Sequence, residues 1–129
     1  MKQCDFYYIE NENELHSQKK SYFVKIDCIN SKEDLLSEYS VKLKFPSYFG
    51  FNWDALSDCL SYLENIEQNA VIIYHQDLPK LKESDLKTYL EILIETVIQW
   101  KKYEEHVFEV YFNIRDYDKI HQLVMCQNE

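Results

Sequence analysis

Glycine is almost absent from this chain of 129 residues, which contains only Gly50, and proline occurs only twice. Two-residue hairpins need residues that tolerate positive φ, above all glycine, so an all-β fold built on such hairpins is disfavoured. A glycine-rich phosphate-binding loop is excluded, because the backbone needs several glycines to approach a phosphate closely. The sequence also lacks a signal-peptide-like start and an apolar run of membrane-spanning length.

Positive charge is also scarce. Lysine and arginine together number 14 against 23 aspartates and glutamates, which gives a formal net charge of −9, and Arg115 is the one arginine. A surface of this sign repels phosphate groups, so nucleic acids and anionic membranes are expected to be poor partners, whereas a basic protein is a good one. The 46% of apolar residues and 29% of charged residues are typical of a single globular domain.

The four cysteines, Cys4, Cys28, Cys59 and Cys126, are widely spaced, and no histidine lies at zinc-ligand spacing from them. We therefore expect reduced thiols in a cytoplasmic protein. No cofactor-binding motif is discernible, and no cofactor is expected.

The pattern of apolar residues predicts an α/β fold. Alternation over residues 21–29, a continuous apolar run over 70–75 and a further segment at 107–114 predict three strands. Between and after them lie helical patterns, of which the first is capped by Ser31, the second runs from Asn52 to about residue 63, and a long one is capped near Ser84. Since no hairpin signals separate the strands, we expect a three-stranded parallel sheet packed with helices.

The helix that begins at Asn52 divides into two different faces. Its apolar face consists of Leu56, Cys59, Leu60 and Leu63, and its opposite face of Asp54, Ser57, Asp58 and Ser61. The two aspartates repel each other by about 0.2–0.5 kcal/mol, and no lysine or arginine occurs between residues 44 and 80 to relieve them. This polar face is interpreted either as an ordinary solvated surface or as a docking surface for cations, with Tyr48, Phe49 and Trp53 as rigid aromatic contacts beside it.

The segment from Phe45 to Leu60 reads FPSYFGFNWDALSDCL and is followed by Tyr62 and Leu63. It closely resembles the signature of the barstar family of ribonuclease inhibitors, and the predicted order of elements is similar to that family's fold. The resemblance implies a non-catalytic inhibitor that blocks the active site of a basic ribonuclease or nuclease-type toxin in a 1:1 complex, as an immunity protein or antitoxin. It therefore favours the docking interpretation of the polar face.

The resemblance also implies which residues contact the partner. Asp58 corresponds to the family's principal anion, which lies among the phosphate-binding cations of the nuclease, and Asp54 corresponds to a second acidic contact at the rim. Tyr48 corresponds to an aromatic residue that packs on the catalytic histidine. Gly50, Asn52 and Trp53 correspond to loop and helix-start contacts, and Ser57 and Ser61 to outward positions on the same face. Phe49 is expected as a further contact because of its place beside the polar face.

The chain departs from the family pattern in two places. Ser57 stands where the best-studied member has a tryptophan. That member also has an acidic contact near the end of its last long helix, whereas the corresponding stretch of this chain reads Gln99-Trp100-Lys101. The nearby candidates to replace this contact are Glu95, Glu104 and Glu105. Different rim residues are expected to select a different toxin.

The resemblance covers residues 21–114, which we expect to form a barstar-like domain. Residues 1–20 are then an N-terminal extension, in which 4–10 can form an additional strand. Residues 115–129 are a C-terminal extension with a possible short helix over 116–125. We expect all three parts to belong to one globular unit.

Two alternative functions remain open. One is an acidic adaptor that binds proteins without inhibiting them. The other is a metal-dependent hydrolase, for which His75 and Asp77 are candidate ligands at the carboxyl edge of the sheet, although two ligands do not make a metal site. Asp54 and Asp58 are also the residue types of an acid–base pair, but a helix face without a cleft does little to separate their roles. We therefore expect a protein that is not an enzyme, with Cys59 in the core.

Overall fold

The computed structural model describes residues 6–15, 20–103 and 105–124 of the chain. Its elements are, in chain order, β1 (Tyr7–Ile9), a first 3₁₀ turn (Glu12–Leu15), β2 (Ser21–Ile26), α1 (Lys32–Lys42), α2 (Trp53–Ser61), β3 (Ala70–His75), α3 (Glu83–Trp100), β4 (Val107–Asn113), a second 3₁₀ turn (Ile114–Asp116) and α4 (Tyr117–Val124). None of the helices among these residues combines the length and the apolar composition needed to cross a membrane.

The described strands form one parallel sheet in the order β1, β4, β3, β2. The α/β class, the three predicted strands and their parallel direction are confirmed. The sheet has four strands rather than three, because β1 adds to the edge of β4 with Tyr7 opposite Tyr111. The additional strand and the terminal helix both form, over 7–9 and 117–124, while residues 4, 5 and 125 of the predicted ranges lie outside the described residues.

Side-chain caps begin two of the three large helices as predicted. Ser31 Oγ accepts a hydrogen bond from the Asp34 amide at 3.0 Å, and Asn52 Oδ1 accepts one from the Ala55 amide at 2.8 Å. Each bond satisfies an amide that has no partner within the first turn of its helix.

The predicted cap of the long helix is wrong. Helix α3 begins at Glu83, with Lys82 at the N-cap position and no side-chain capping bond, and Ser84 lies inside the first turn. The carboxylates of Glu83 and Asp85 provide negative charge near the positive end of the helix dipole instead.

The two faces of the sheet are covered differently. One face carries the main core, to which Val24, Ile73 and Val110 contribute together with the apolar sides of the helices. The opposite face carries a smaller cluster formed by Ile9, Leu15, Ile72 and Tyr74. The first 3₁₀ turn contributes Leu15 to this cluster. An ion pair of 2.7 Å between Glu12 Oε1 and Lys25 Nζ connects the turn to β2.

A chain of hydrogen bonds runs through the main core from His75. Its Nδ1 lies 3.1 Å from the Tyr111 carbonyl oxygen, its Nε2 lies 2.6 Å from the Tyr89 hydroxyl, and that hydroxyl lies 2.6 Å from the hydroxyl of Tyr39. A carbonyl only accepts, so Nδ1 carries the proton, Tyr89 donates to Nε2, and Tyr39 donates to Tyr89. The bonds thereby connect β3 and β4 to α3 and α1.

The interpretation of His75 as a metal ligand does not fit this arrangement. The ring is fully buried, and both of its nitrogens are engaged inside the protein. Asp77 forms an ion pair with Arg115. Within the described ranges, no group of three or more histidine, cysteine, aspartate or glutamate side chains is placed to hold a metal ion.

The buried imidazole makes a prediction about stability at low pH. Burial lowers the pKa of His75 to about 4 from its ordinary 6.5, although the bond to the Tyr111 carbonyl partly opposes this shift. Between pH 6.5 and pH 4, His75 is therefore protonated in the unfolded chain but neutral in the native protein. The free energy of unfolding consequently falls as the pH drops through this range. Between pH 7 and pH 5, His75→Gln should lose about 2 kcal/mol less stability than the unmodified protein.

Urea denaturation at the two pH values measures this difference. His106→Gln is the matched control, because it also removes one imidazole, but from an exposed residue outside the hydrogen-bonded chain. If His75→Gln and the unmodified protein lose stability equally on acidification, the buried neutral imidazole is not responsible.

Candidate protein-binding site

The apolar side of α2 is anchored in the main core. Leu56 and Leu60 are 0% exposed, and Leu63 is buried just beyond the end of the helix. The helix packs against α3, where Trp100 Nε1 donates a hydrogen bond of 2.9 Å to the Leu60 carbonyl. These contacts determine how α2 is rotated about its axis.

Cys59 lies at the margin of this apolar side. The residue is partly buried and packs against the main core, close to the position expected for it. Burial raises the pKa of the Cys59 thiol, and the negative charges of Asp58 and Glu64 raise it further. A thiol in these surroundings is held in its protonated, unreactive form.

The opposite side of α2 is acidic and faces solvent. Asp54, Asp58 and Ser61 are exposed, and Ser57 is half-buried, so the predicted division of the helix is confirmed. Ser61 Oγ donates a hydrogen bond of 2.6 Å to the Asp58 carbonyl, which satisfies a backbone group near the end of the helix. We call the surface formed by these four residues the acidic face.

Among the residues that the structure describes, neither carboxylate of the acidic face is neutralised. Among the described residues, Asp54 and Asp58 form no ion pair and accept no side-chain hydrogen bond. The two groups are one turn of helix apart, so both negative charges lie on the same side of α2 and their electrostatic potentials add. Such a surface attracts cationic groups, and this electrostatic attraction is strongest when a partner excludes water from the surface.

The loop before α2 is held by backbone and side-chain bonds. The Phe49 amide donates to the Pro46 carbonyl at 3.0 Å, and Asn52 Nδ2 donates to the Gly50 carbonyl at 3.3 Å. Gly50 does not have a positive φ. A Cβ at this position would lie 3.3 Å from Asn52 Nδ2 and 3.8 Å from Ala55 Cβ, so glycine allows the loop to lie close to the first turn of α2.

The aromatic residues of this loop alternate between the interior and the solvent. Tyr48 is 76% exposed and is available to a partner, as expected. Phe49 was expected to be a surface contact, but it is only 6% exposed and belongs to the core. Its ring contacts those of Phe45 and Phe51, with centroids 4.8 and 4.7 Å away, so Phe49 connects the loop to the core.

Trp53 occupies an intermediate position at the start of α2. Its half-buried ring stacks on Tyr89, with centroids 6.2 Å apart, and the Lys32 ammonium lies 5.0 Å from the ring centroid. Much of the indole is therefore engaged inside the protein, and only its remaining exposed part is available for a partner contact.

Two exposed aromatic residues in this region were missed as site candidates. Phe51 is 53% exposed beside the helix start, and Tyr62 is exposed beside the helix end, where a groove of about 570 Å³ begins. The groove is also lined by Trp100, Tyr103 and His106. Both Phe51 and Tyr62 lie within or next to the signature segment, but sequence periodicity does not show which aromatic rings of a loop turn outward.

The acidic residues proposed to replace a contact in the last long helix are only partly located. Glu95 and Glu105 are exposed, on α3 and in the turn after it, while Glu104 lies outside the described residues. Both exposed carboxylates are accessible to a partner.

The fold corresponds to that of a known family. The family model described as Barstar (barnase inhibitor) matches residues 20–113 of the chain. This match covers more than half of the 129 residues, and the chain therefore belongs to the barstar family. A comparison with curated proteins finds no match.

The two sides of α2 make opposite predictions about stability. Leu60→Ala should lower the free energy of unfolding by about 2–5 kcal/mol, because it leaves a cavity in the core. Asp58→Asn should leave it unchanged or raise it by up to about 0.5 kcal/mol, because it removes the repulsion from Asp54. Urea denaturation at pH 7 measures both. A large loss of stability in Asp58→Asn would indicate a structural role for this carboxylate.

Proposed function

We propose that this protein is a non-catalytic inhibitor that binds a basic ribonuclease or nuclease-type toxin and blocks its active site with the acidic face and the loop before it. The observation that carries the proposal is the pair Asp54 and Asp58, which has no neutralising partner in the described part of the chain and lies on the outward side of a helix in a barstar-family chain. Its role is that of an immunity protein or antitoxin in a 1:1 complex.

The chemistry of the partner follows from that of the acidic face. The active site of a ribonuclease must bind the phosphate groups of its substrate, so it presents arginine, lysine or histidine side chains. A carboxylate that enters this site takes the place of a substrate phosphate. Asp58 is the better placed of the two for the centre of the contact, because Asp54 lies in the first turn of α2, where the helix dipole also stabilises its charge.

The site is preorganised for this contact. Leu56 and Leu60 hold the helix in the core, and the Asn52 cap fixes the point where the loop meets it. Binding therefore requires little ordering of the inhibitor, and more of the interaction energy is retained as affinity. The net charge of −9 further favours rapid encounter with a basic protein.

We place this function in the cytoplasm. Both cysteines in the described ranges, Cys28 and Cys59, are free thiols. Reduced thiols are typical of cytosolic proteins, and the fold of this family member does not depend on a disulfide between them.

The first test of the proposal compares acidic residues by their position. Asp58→Ala should weaken binding by at least about 2 kcal/mol, because it removes an anion from a desolvated cationic site. Asp54→Ala should weaken binding less. Glu33→Ala is the matched control, since Glu33 is an exposed acid in the first turn of α1, and it should bind like the unmodified protein.

The measurement uses calorimetry or surface-based kinetics with a panel of catalytically inactive basic ribonucleases that includes barnase. Failure of the unmodified protein to bind any panel member would contradict the proposed function. Equal binding by Asp58→Ala and the unmodified protein would show that the acidic face is an ordinary solvated surface.

Salt dependence provides a second test. Raising the salt concentration from low to about 0.5 M shortens the Debye length to a few ångströms and screens the attraction between the separated partners. The association rate should therefore fall more than the dissociation rate rises, because charges in the formed complex are shielded from solvent. Stopped-flow mixing with the ribonuclease measures both rates. An association rate that is insensitive to salt would exclude electrostatic steering.

A further inference from the structure

Phe51 combines two unfavourable features at the edge of the candidate site. Its backbone is left-handed, with φ at 54°, and its ring is 53% exposed. Left-handed backbone is disfavoured for residues with a Cβ, and an exposed phenylalanine ring forgoes much of its hydrophobic stabilisation. Glycine or asparagine would adopt this backbone conformation more readily.

Two other described residues without such a ring share this backbone conformation. Lys44 has a φ of 56°, and there the conformation ends α1, because the amides of Lys44 and Phe45 donate to the Val41 and Ser40 carbonyls at 3.3 and 3.0 Å. Cys28, with a φ of 58°, carries only a small side chain. Phe51 differs from Lys44, because it precedes a helix rather than ending one, and from Cys28, because it presents a large apolar group to solvent.

The ring of Phe51 is held in a defined place. One side lies against Phe49, at a centroid distance of 4.7 Å and an interplanar angle of 58°, and Phe49 is itself fixed in the core. The Asn52 side chain, which bonds to both the Gly50 carbonyl and the Ala55 amide, holds the backbone on either side. The exposed side of the ring is therefore a rigid apolar surface three residues before Asp54.

We propose that Phe51 is a specificity-determining binding residue, whose ring contacts an apolar patch beside the cationic active site of the ribonuclease. This inference rests on the proposed function and adds to it the kind of partner. Rigid aromatic side chains next to a buried charge contact are the groups that most often dominate binding energy at protein interfaces. A ribonuclease with a charged rim at this point would leave the ring without a suitable partner and would be discriminated against.

The experiment uses three substitutions at this one position. Phe51→Gly and Phe51→Asn remove the ring and tolerate a left-handed backbone, so the thermal unfolding midpoint should stay the same or rise. Both should raise the Kd at least tenfold. The ligand is inactive barnase or the panel ribonuclease that the unmodified protein binds best. Phe51→Tyr keeps the ring and should bind within about threefold of the unmodified protein.

Controls separate the ring from the backbone and from charge. Cys28→Gly relieves the same backbone conformation without removing a ring, and its Kd should stay within about threefold of the unmodified value. Because the proposed contact is apolar, the fold-change of Phe51→Asn should be the same at low salt and at about 0.5 M salt, whereas that of Asp58→Ala should shrink as salt rises.

The outcomes distinguish this inference from the proposed function. If the unmodified protein binds no ribonuclease, both fail. If it binds and Asp58→Ala weakens it, but Phe51→Gly and Phe51→Asn bind like the unmodified protein, the inference alone is overturned. If only Phe51→Gly binds weakly, added loop flexibility explains the loss, and the inference is again overturned.

Discussion

The complete burial of Leu56 and Leu60 is the constraint on which the candidate site depends. Both side chains belong to the main core, and the Leu60 carbonyl accepts the indole hydrogen of Trp100. Rotation of α2 would open the core and break this bond. Because residues three and four positions apart share a face of a helix, holding the leucines inside keeps Asp54 and Asp58 outside. The binding chemistry of the surface is therefore a consequence of packing on the other side of the same helix.

The polar chain through His75, Tyr89 and Tyr39 supports the same helix from a second direction. Both ring nitrogens of His75 and both tyrosine hydroxyls have hydrogen-bond partners, and the Tyr111 carbonyl accepts the bond at one end of the chain. Trp53, the first residue of α2, stacks on Tyr89, so the start of the acidic helix contacts a member of the chain. A satisfied buried network favours one arrangement of its elements, because any shift leaves polar groups without partners in a medium of low dielectric constant.

Under the proposed function, general affinity and partner choice would depend on different residues in this site. The carboxylates of Asp54 and Asp58 suit any enzyme that must bind phosphate, and this makes them suitable for a whole family of inhibitors. The surrounding residues differ in chemistry: Ser57 is small and polar, whereas Tyr48 and Phe51 present large rings. Apolar and small contacts discriminate by shape and by the penalty for burying an unpaired charge, so we expect this rim to determine which nuclease is bound.

The sequence by itself determined which segments become strands and helices, two of the helix caps, and the division of α2 into an apolar and an acidic side, because each depends on neighbours within about one turn or one strand. Only the tertiary structure decided that β1 completes the sheet beside β4, that His75 lies in the core, and that α3 begins before Ser84. It also decided that Phe49 turns inward and Phe51 outward. These outcomes depend on contacts between residues far apart in the chain, where burial and available partners outweigh local preference.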